Sequence, residues 1–293
     1  MTPEQLAAAL AAPGRASLPY TDPYSPDRPL MLECYRAPGY APDRPVVLVQ
    51  HGMGRNGDEY CEAWVEAADR HGLLIVATTF PNASWPGPRT YNDGHVREED
   101  GTVRPRETWS HAIPGRVFRL LQAARVTGRP RAYLWGHSAG AQFVHRALAT
   151  QDSGLFEAAG AGNAGWYTMP TLERPYPEGL GGIALEEADL RRLLAFPLTI
   201  FAGDQDTDEA EENLPRSQAA MEQGPHRFAR AHYYLQAGRR AAARLGAACN
   251  WRLIVVPGIG HEGMRMSGVS AAYWFEGKLP EAQAVRRTVG TEL

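Results

Sequence analysis

Long apolar runs alternate with polar, helix-spaced segments along most of this chain. The apolar runs are typical of buried strands in a mainly parallel sheet, and they cover residues 46–50, 73–77, 132–136, 197–202 and 251–256. Between them, apolar residues recur at steps of three and four, which predicts helices such as those over 114–124 and 228–245. No repeat interrupts this alternation. The pattern predicts a doubly wound α/β fold with helices on both faces of the sheet.

Two kinds of segment stand outside this alternation. Residues 1–29 are rich in Pro, Ala and Asp, and we expect an N-terminal arm on the surface of a single domain spanning 30–293. Within that domain, 80–110 and 163–184 have no clear periodicity. Both are predicted as long loops, and an irregular segment as long as 80–110 in a compact domain is usually functional or mobile.

Composition narrows the possible partners. The 293 residues carry a formal net charge of −3, which gives no basic field for nucleic acid or anionic lipid. No apolar run reaches the length of a membrane span, and no signal peptide is recognised. The three cysteines form neither a disulfide framework nor a C-x-x-C pair. We expect a cytoplasmic protein with no nucleic-acid or membrane partner, and the sequence leaves its oligomeric state open.

A glycine-flanked serine follows the third of the apolar runs. Gly136-His-Ser-Ala-Gly140 has the pattern G-x-S-x-G between a predicted strand and a predicted helix. A serine exposed on so sharp a turn requires close approach of strand and helix, where side chains at the two flanking positions would collide. The helix N-terminus behind the serine adds partial positive charge. The context predicts a nucleophilic serine rather than a glycine-rich surface turn.

Four predicted strands end in polar, glycine-bearing loops. In parallel sheets, sites form beyond the carboxyl ends of the strands, so these loops are expected to share one edge. They are His51–Asn56, Gly136–Gly140, Gly203–Asp208 and Gly258–Gly263. Together they bring a serine, acids and a histidine to one place, in the chain order Ser, Asp, His.

This order, with the glycine-flanked serine and the His51-Gly52 pair after a buried strand, resembles the α/β-hydrolase superfamily over about residues 30–278. Asn163-Ala-Gly-Trp-Tyr-Thr-Met-Pro170 and Arg55-Asn56 resemble its branch of polyhydroxybutyrate-depolymerase-like and feruloyl-esterase-like proteins. The resemblance implies the α/β-hydrolase fold and a serine hydrolase that cleaves carboxylic esters through an acyl-enzyme.

Three residues would carry that chemistry. Ser138 is the expected nucleophile and needs a base within hydrogen-bond reach. His261 is the expected base, because it lies in a glycine-rich loop just past the last strand, whereas His226 and His232 lie in or near a helix. The superfamily pattern G-x-x-D, counted from Gly203, indicates Asp206 as the acid that orients the base. Asp204 is the alternative acid.

The oxyanion hole needs two backbone N–H groups that converge on the carbonyl oxygen. We expect one from Ala139, directly after the serine, and the other from Met53 in the loop after the first buried strand. Arg55, Trp166 and Tyr167 are the expected pocket residues. For these three the ordinary alternatives are an arginine that ties a loop down and aromatic residues packed beneath long loops.

Rival chemistries fit less well. Gly52-Met-Gly-Arg-Asn-Gly57 matches the dinucleotide fingerprint G-x-G-x-x-G, but the next predicted strand ends in Ala77-Thr-Thr79 with no acid for a ribose. His261-Glu-Gly-Met-Arg265 lacks the second histidine of a zinc-protease motif. We expect no metal and no organic cofactor, and a small or oligomeric ester as substrate. Thioesterase and serine-peptidase activities remain alternatives, as does a non-catalytic binding protein of the same fold.

Overall fold

A computed structural model describes residues 1–278, so residues 279–293 of the predicted domain lie outside the described part. The strands are β1 (Gly14–Tyr20), β2 (Leu30–Arg36), β3 (Val46–Gln50), β4 (Leu74–Thr79), β5 (Ala132–His137), β6 (Phe156–Gly162), β7 (Leu198–Gly203) and β8 (Arg252–Val256). The α-helices are α1 (Pro3–Ala9), α2 (Gly57–Glu62), α3 (Val65–His71), α4 (Gly87–Thr90), α5 (Ile113–Ala123), α6 (Ala139–Thr150), α7 (Glu187–Ala195), α8 (Gln218–Glu222), α9 (Arg227–Leu245) and α10 (Gly263–Glu276). Short 3-10 helices cover Arg106–Thr108, Ser110–Ala112 and Ser153–Leu155.

The eight strands form one sheet in the order β1-β2-β4-β3-β5-β6-β7-β8. Strand β2 pairs antiparallel with both β1 and β4, and all pairings from β4 through β8 are parallel. The carboxyl ends of β3, β5, β6, β7 and β8 therefore lie at one edge of the sheet. The fold is the predicted α/β-hydrolase fold.

Helices cover both faces of this sheet, as neighbouring residues of β5 demonstrate. Successive side chains of a strand point to opposite faces. The Trp135 indole donates a hydrogen bond to Ser270 of α10, with a donor–acceptor distance of 2.9 Å. On the other face, a Cβ at Gly136 would lie 2.3 Å from the carbonyl oxygen of Gly140 in α6. The central strands are thus buried on both sides, which explains their continuous apolar sequences.

The N-terminal segment is not the surface arm that the sequence predicted. Residues 1–29 contain helix α1 and the edge strand β1, which pairs with β2 from Gly14↔Arg36 to Tyr20↔Leu30. The burial of β1 alternates along its length, as expected for an edge strand covered on one face. Because this strand contains Pro19 and several polar residues, its sequence does not have the apolar pattern that predicts a strand. The segment is part of the sheet rather than a surface arm.

The two long irregular segments differ in how much regular structure they contain. Residues 80–110 include α4 and a 3-10 helix, and their aromatic residues Trp85, Tyr91 and Trp109 are buried. Residues 163–184 contain no helix or strand, only an isolated bridge between Pro175 and Gly181. Across the described chain, no helix combines the length and apolar character needed to cross a membrane.

Candidate active site

Ser138 lies at the sharp turn between β5 and α6. Its backbone has φ 56° and ψ −117°, a left-handed conformation that a non-glycine residue rarely adopts. The two glycines of the motif are required by close backbone contacts. A Cβ at Gly136 would lie 2.3 Å from the carbonyl oxygen of Gly140, and a Cβ at Gly140 would lie 2.1 Å from that of Gln50. The turn therefore presses α6 against both β5 and β3 and presents the serine at the sheet edge.

A hydrogen-bonded chain joins Ser138, His261 and Asp206. The His261 Nε2 atom lies 2.9 Å from Ser138 Oγ, and Nδ1 lies 2.8 Å from Asp206 Oδ2. An ionised carboxylate only accepts hydrogen bonds, so Nδ1 carries the proton and Nε2 is free to accept the serine proton. The Asp206 side chain is 3% exposed and that of His261 is 25% exposed. This arrangement can activate a serine hydroxyl for nucleophilic attack.

The neighbouring acids have other partners. One carboxylate oxygen of Asp204 accepts hydrogen bonds from the Gly258 backbone N–H at 2.8 Å and from the Gln205 side chain at 3.0 Å. Asp208 accepts from the Ala210 N–H at 2.8 Å. Only Asp206 among the three reaches the His261 ring in the described chain, so the geometry favours the first of the two acids considered from the sequence.

The second oxygen of Asp206 faces a buried arginine that sequence analysis missed. Arg227 Nη1, at the start of α9, lies 3.4 Å from Asp206 Oδ1, and the Arg227 side chain is 2% exposed. Glu211 binds the same guanidinium through both carboxylate oxygens, with one of the two contacts at 3.0 Å. This second carboxylate compensates the arginine charge next to the acid.

His137, directly before the serine, packs beneath the His261 ring. The centroids of the two rings are 4.6 Å apart, and the His137 Nδ1 atom lies 2.9 Å from the Tyr60 hydroxyl. Burial holds the pKa of His137 well below its ordinary value, and the nearby His261 and Arg227 act in the same direction. His137 is therefore a neutral support for the base and not a second base.

The loop after β3 is held by buried hydrogen bonds of His51. Its Nε2 accepts from the Phe80 N–H at 3.0 Å, so Nδ1 carries the proton and donates to the Gly52 carbonyl at 2.7 Å. The Tyr91 hydroxyl donates to the His51 carbonyl at 2.7 Å. Burial lowers the pKa of His51 to about 3, which keeps the ring neutral.

The two expected amide donors lie on different segments, Met53 on this loop and Ala139 at the start of α6. Met53 lines the same cavity as the serine, and Ala139 is the buried first residue of α6. Within residues 1–278, neither backbone N–H donates a hydrogen bond to another backbone or side-chain atom. Both N–H groups are thus unengaged within the described protein, as the donors of an oxyanion hole must be.

Arg55 lies away from the cavity, contrary to its expected role in the pocket. Its guanidinium donates to the Phe80 carbonyl at 3.0 Å and to the Gly87 carbonyl at 2.9 Å, and it lies 4.4 Å from the centre of the Tyr91 ring. The side chain is buried. Its contacts connect the segment after β4 to the loop after β3. Arg55 therefore holds a loop in place, which was the alternative to a role in substrate binding.

The two adjacent aromatic residues point in different directions. Trp166 lines the cavity and packs over the guanidinium of Arg146 at 5.1 Å. Tyr167 is fully buried and stacks on Tyr234 of α9, with 4.4 Å between ring centroids. The structure thus brings Trp166, but not Tyr167, to the pocket.

The cavity over Ser138 has a volume of about 470 Å³. Its lining includes the carboxylates of Asp93 and Glu211, the guanidinium of Arg227 and the ring of His261. Asp93 is paired with Arg146 at 2.6 Å, and Arg227 is paired as described above. Within residues 1–278, no group of three or more His, Cys, Asp or Glu side chains is placed to hold a metal ion.

Comparison with solved structures identifies the family. The chain is 49% identical to LpqC, a poly(3-hydroxybutyrate) depolymerase from Bordetella parapertussis, with a TM-score of 0.95 over 98% of each chain. The chain belongs to the same α/β-hydrolase family as this depolymerase. The superfamily and the branch predicted from the sequence are confirmed.

A second relative within this family is named for a different substrate. The chain is 37% identical to poly(aspartic acid) hydrolase-1 from Sphingomonas sp. KT-1, with a TM-score of 0.85 over 88% of this chain and 97% of that one. An S-formylglutathione hydrolase from Agrobacterium tumefaciens shares the fold at 15% identity, with a TM-score of 0.56 over 90% of this chain and 95% of that one. No protein-family model matches the sequence, and no curated protein matches it.

Proposed function

We propose that this α/β-hydrolase cleaves carboxylic esters, with Ser138 as nucleophile, His261 as general base and acid, and Asp206 as the residue that orients His261. The observation that carries the proposal is the unbroken hydrogen-bonded chain of these three side chains at the mouth of a cavity. Family membership with an ester-cleaving depolymerase supports the same reaction.

The reaction is a two-step acyl transfer. The Ser138 oxygen attacks the ester carbonyl while its proton passes to His261 Nε2, and the oxyanion is bound by the N–H groups of Met53 and Ala139. As the carbon–oxygen bond to the alcohol breaks, His261 returns the proton to the leaving oxygen. Water then attacks the acyl-enzyme with His261 again as base, which releases the acid and restores the serine hydroxyl.

The charges around the cavity favour a neutral substrate. Arg227 is the one arginine in the described lining, which holds no lysine, and carboxylates of Asp206 and Glu211 already face its guanidinium. Asp93 and Glu211, the two carboxylates of the lining, are themselves paired with Arg146 and Arg227, so the wall offers no unpaired cation. A polyanion such as poly(aspartic acid), which the name of one relative gives as its substrate, would find no unpaired cation here to bind its carboxylates. We therefore propose neutral hydroxyacyl ester oligomers, such as those of 3-hydroxybutyrate.

Gln142 supplies a donor suited to such a substrate. It lies one helical turn after Ser138 on α6 and lines the cavity. Its Oε1 accepts from Asn92 at 3.2 Å, whereas its Nε2 makes no hydrogen bond within residues 1–278. This free amide N–H can bind a second carbonyl or hydroxyl oxygen of an oligoester.

Steady-state hydrolysis of two oligomer types tests the proposal. The wild-type protein is expected to hydrolyse trimers of 3-hydroxybutyrate with kcat/KM about a hundredfold or more higher than for short poly(aspartic acid), whose carboxylates find no unpaired cation in the cavity and whose amide bonds are less reactive than esters. Ser138→Ala is the control and is expected to hydrolyse neither. Equal or faster cleavage of poly(aspartic acid) would contradict the neutral-substrate proposal, and an active Ser138→Ala protein would contradict the mechanism.

A further inference from the structure

Asn163 occupies the end of β6, between the strand that carries Ser138 and the strand that leads to Asp206. Its backbone has φ 48°, a left-handed conformation that asparagine adopts more readily than most residues. The side chain is 3% exposed, and nothing in the proposed reaction uses it. A buried carboxamide in a strained backbone position at the edge of a site calls for a physical role.

The carboxamide joins the two loops that carry the acid and the base. Its Oδ1 accepts from the Gly203 N–H at 2.8 Å, three residues before Asp206. Its Nδ2 donates to the Gly260 carbonyl at 2.8 Å, directly before His261. A backbone N–H only donates and a carbonyl only accepts, so these two bonds fix the orientation of the amide.

The backbone of Asn163 extends the same connection. Its N–H donates to the Phe201 carbonyl at 3.0 Å, while the carbonyl of the preceding residue, Gly162, accepts from the Ser138 N–H at 2.9 Å. One dipeptide therefore contacts the segments that hold all three members of the Ser138–His261–Asp206 chain. Small displacements in such a constellation are costly, since a misplacement of about 1 Å can reduce a rate about a hundredfold.

We propose that Asn163 is a positioning residue that sets the distance between Asp206 and His261 by clamping Gly203 to Gly260. This inference rests on the proposed function of that triad. Asn163 does not line the cavity, so its loss changes the alignment of the catalytic groups without removing a substrate contact.

Asn163→Gly is the most direct test, because glycine accepts the left-handed backbone and only the amide is lost. We expect kcat for a nitrophenyl ester to fall about tenfold to a hundredfold with KM unchanged. The rate of inactivation by a fluorophosphonate should fall in parallel, while the final stoichiometry of labelling stays at the wild-type value. That stoichiometry counts the folded, reactive protein and so separates misalignment from unfolding.

Asn250→Gly is the control for the same substitution at an exposed position. The Asn250 amide also joins two segments, through a 2.7 Å bond to the Ala195 carbonyl, but at the opposite end of the sheet. It is expected to leave kcat unchanged. An Asn163→Gly protein with wild-type kcat, or with a loss shared by Asn250→Gly, would overturn the positioning role alone. A wild-type protein that neither hydrolyses the ester nor reacts with the phosphonate would instead contradict the proposed function.

Discussion

The carboxylates of Asp204 and Asp206, two residues apart, hold different atoms of the loop that carries the base. Asp206 binds the His261 ring at 2.8 Å, whereas Asp204 binds the Gly258 backbone N–H at 2.8 Å. The same substitution at the two positions therefore separates an effect on chemistry from an effect on loop structure.

Asp206→Asn is expected to lower kcat about ten-thousandfold, because an amide at this position favours the wrong tautomer of His261. Asp204→Asn retains an oxygen that accepts from Gly258, and we expect kcat within about threefold of wild type. Both are measured with a nitrophenyl ester. The reverse order of effects would make Asp204 the acid.

The position of Arg55 predicts an effect on stability rather than on substrate binding. Arg55→Met leaves the buried Phe80 carbonyl and the half-buried Gly87 carbonyl without their donor, so the free energy of unfolding in urea should fall by about 1–3 kcal/mol. KM for a neutral ester should not change. The control is Arg119→Met, whose side chain is 62% exposed and which should unfold like wild type. A raised KM with unchanged stability would return Arg55 to the substrate pocket.

The contacts of Gly140 predict that even one methyl group disturbs the serine turn. In Gly140→Ala the new Cβ would lie 2.1 Å from the Gln50 carbonyl oxygen, so α6 or β3 must move. We expect a loss of about 1–3 kcal/mol in the free energy of unfolding together with loss of esterase activity. Gly128→Ala is the control, because its nearest contact is at 3.7 Å. An active, fully stable Gly140→Ala protein would contradict the described packing.

Burial of His51 predicts a dependence of stability on pH. The unfolded chain binds a proton at this residue below about pH 6.5, but in the folded protein its pKa is about 3. The contribution of neutral His51 to the free energy of unfolding is therefore fully present above pH 6.5. It is lost as the pH falls towards 3, by about 1.4 kcal/mol per pH unit.

Urea unfolding at a series of pH values between about 4 and 6, inside the range between the two pKa values, measures this slope. His51→Gln should have a slope smaller than wild type by about 1.4 kcal/mol per pH unit. A wild-type slope in His51→Gln would show that this ring is not kept neutral by burial.

Much of the fold follows from local sequence. The run Val46–Gln50 is buried along its whole length, and such a run is readable because a strand covered on both faces needs no polar residue. Strand β1 was missed because it is covered on one face and carries Arg15, Ser17 and Pro19. The glycines around Ser138 could also be interpreted from the sequence, because the backbone contacts at these positions leave no room for a side chain.

What the sequence does not reveal is set by tertiary contacts. Neighbouring Trp166 and Tyr167 have the same aromatic character, and only the path of the loop turns the first to the cavity and the second to the core. The partners of Asn163 lie 40 or more residues away along the chain, and Asp206 lies 21 residues from Arg227. No local sequence pattern therefore identifies these contacts.

The central claim is that Ser138 is the nucleophile of this hydrolase, and covalent labelling tests it most directly. The wild-type protein is treated with a fluorophosphonate, digested, and mapped by mass spectrometry, with Ser138→Ala as the control. We predict one label per chain, on the peptide at Ser138, and none on Ser138→Ala. A folded wild-type protein that takes up no label, or a label that persists on another residue of Ser138→Ala at the wild-type rate, would contradict the account.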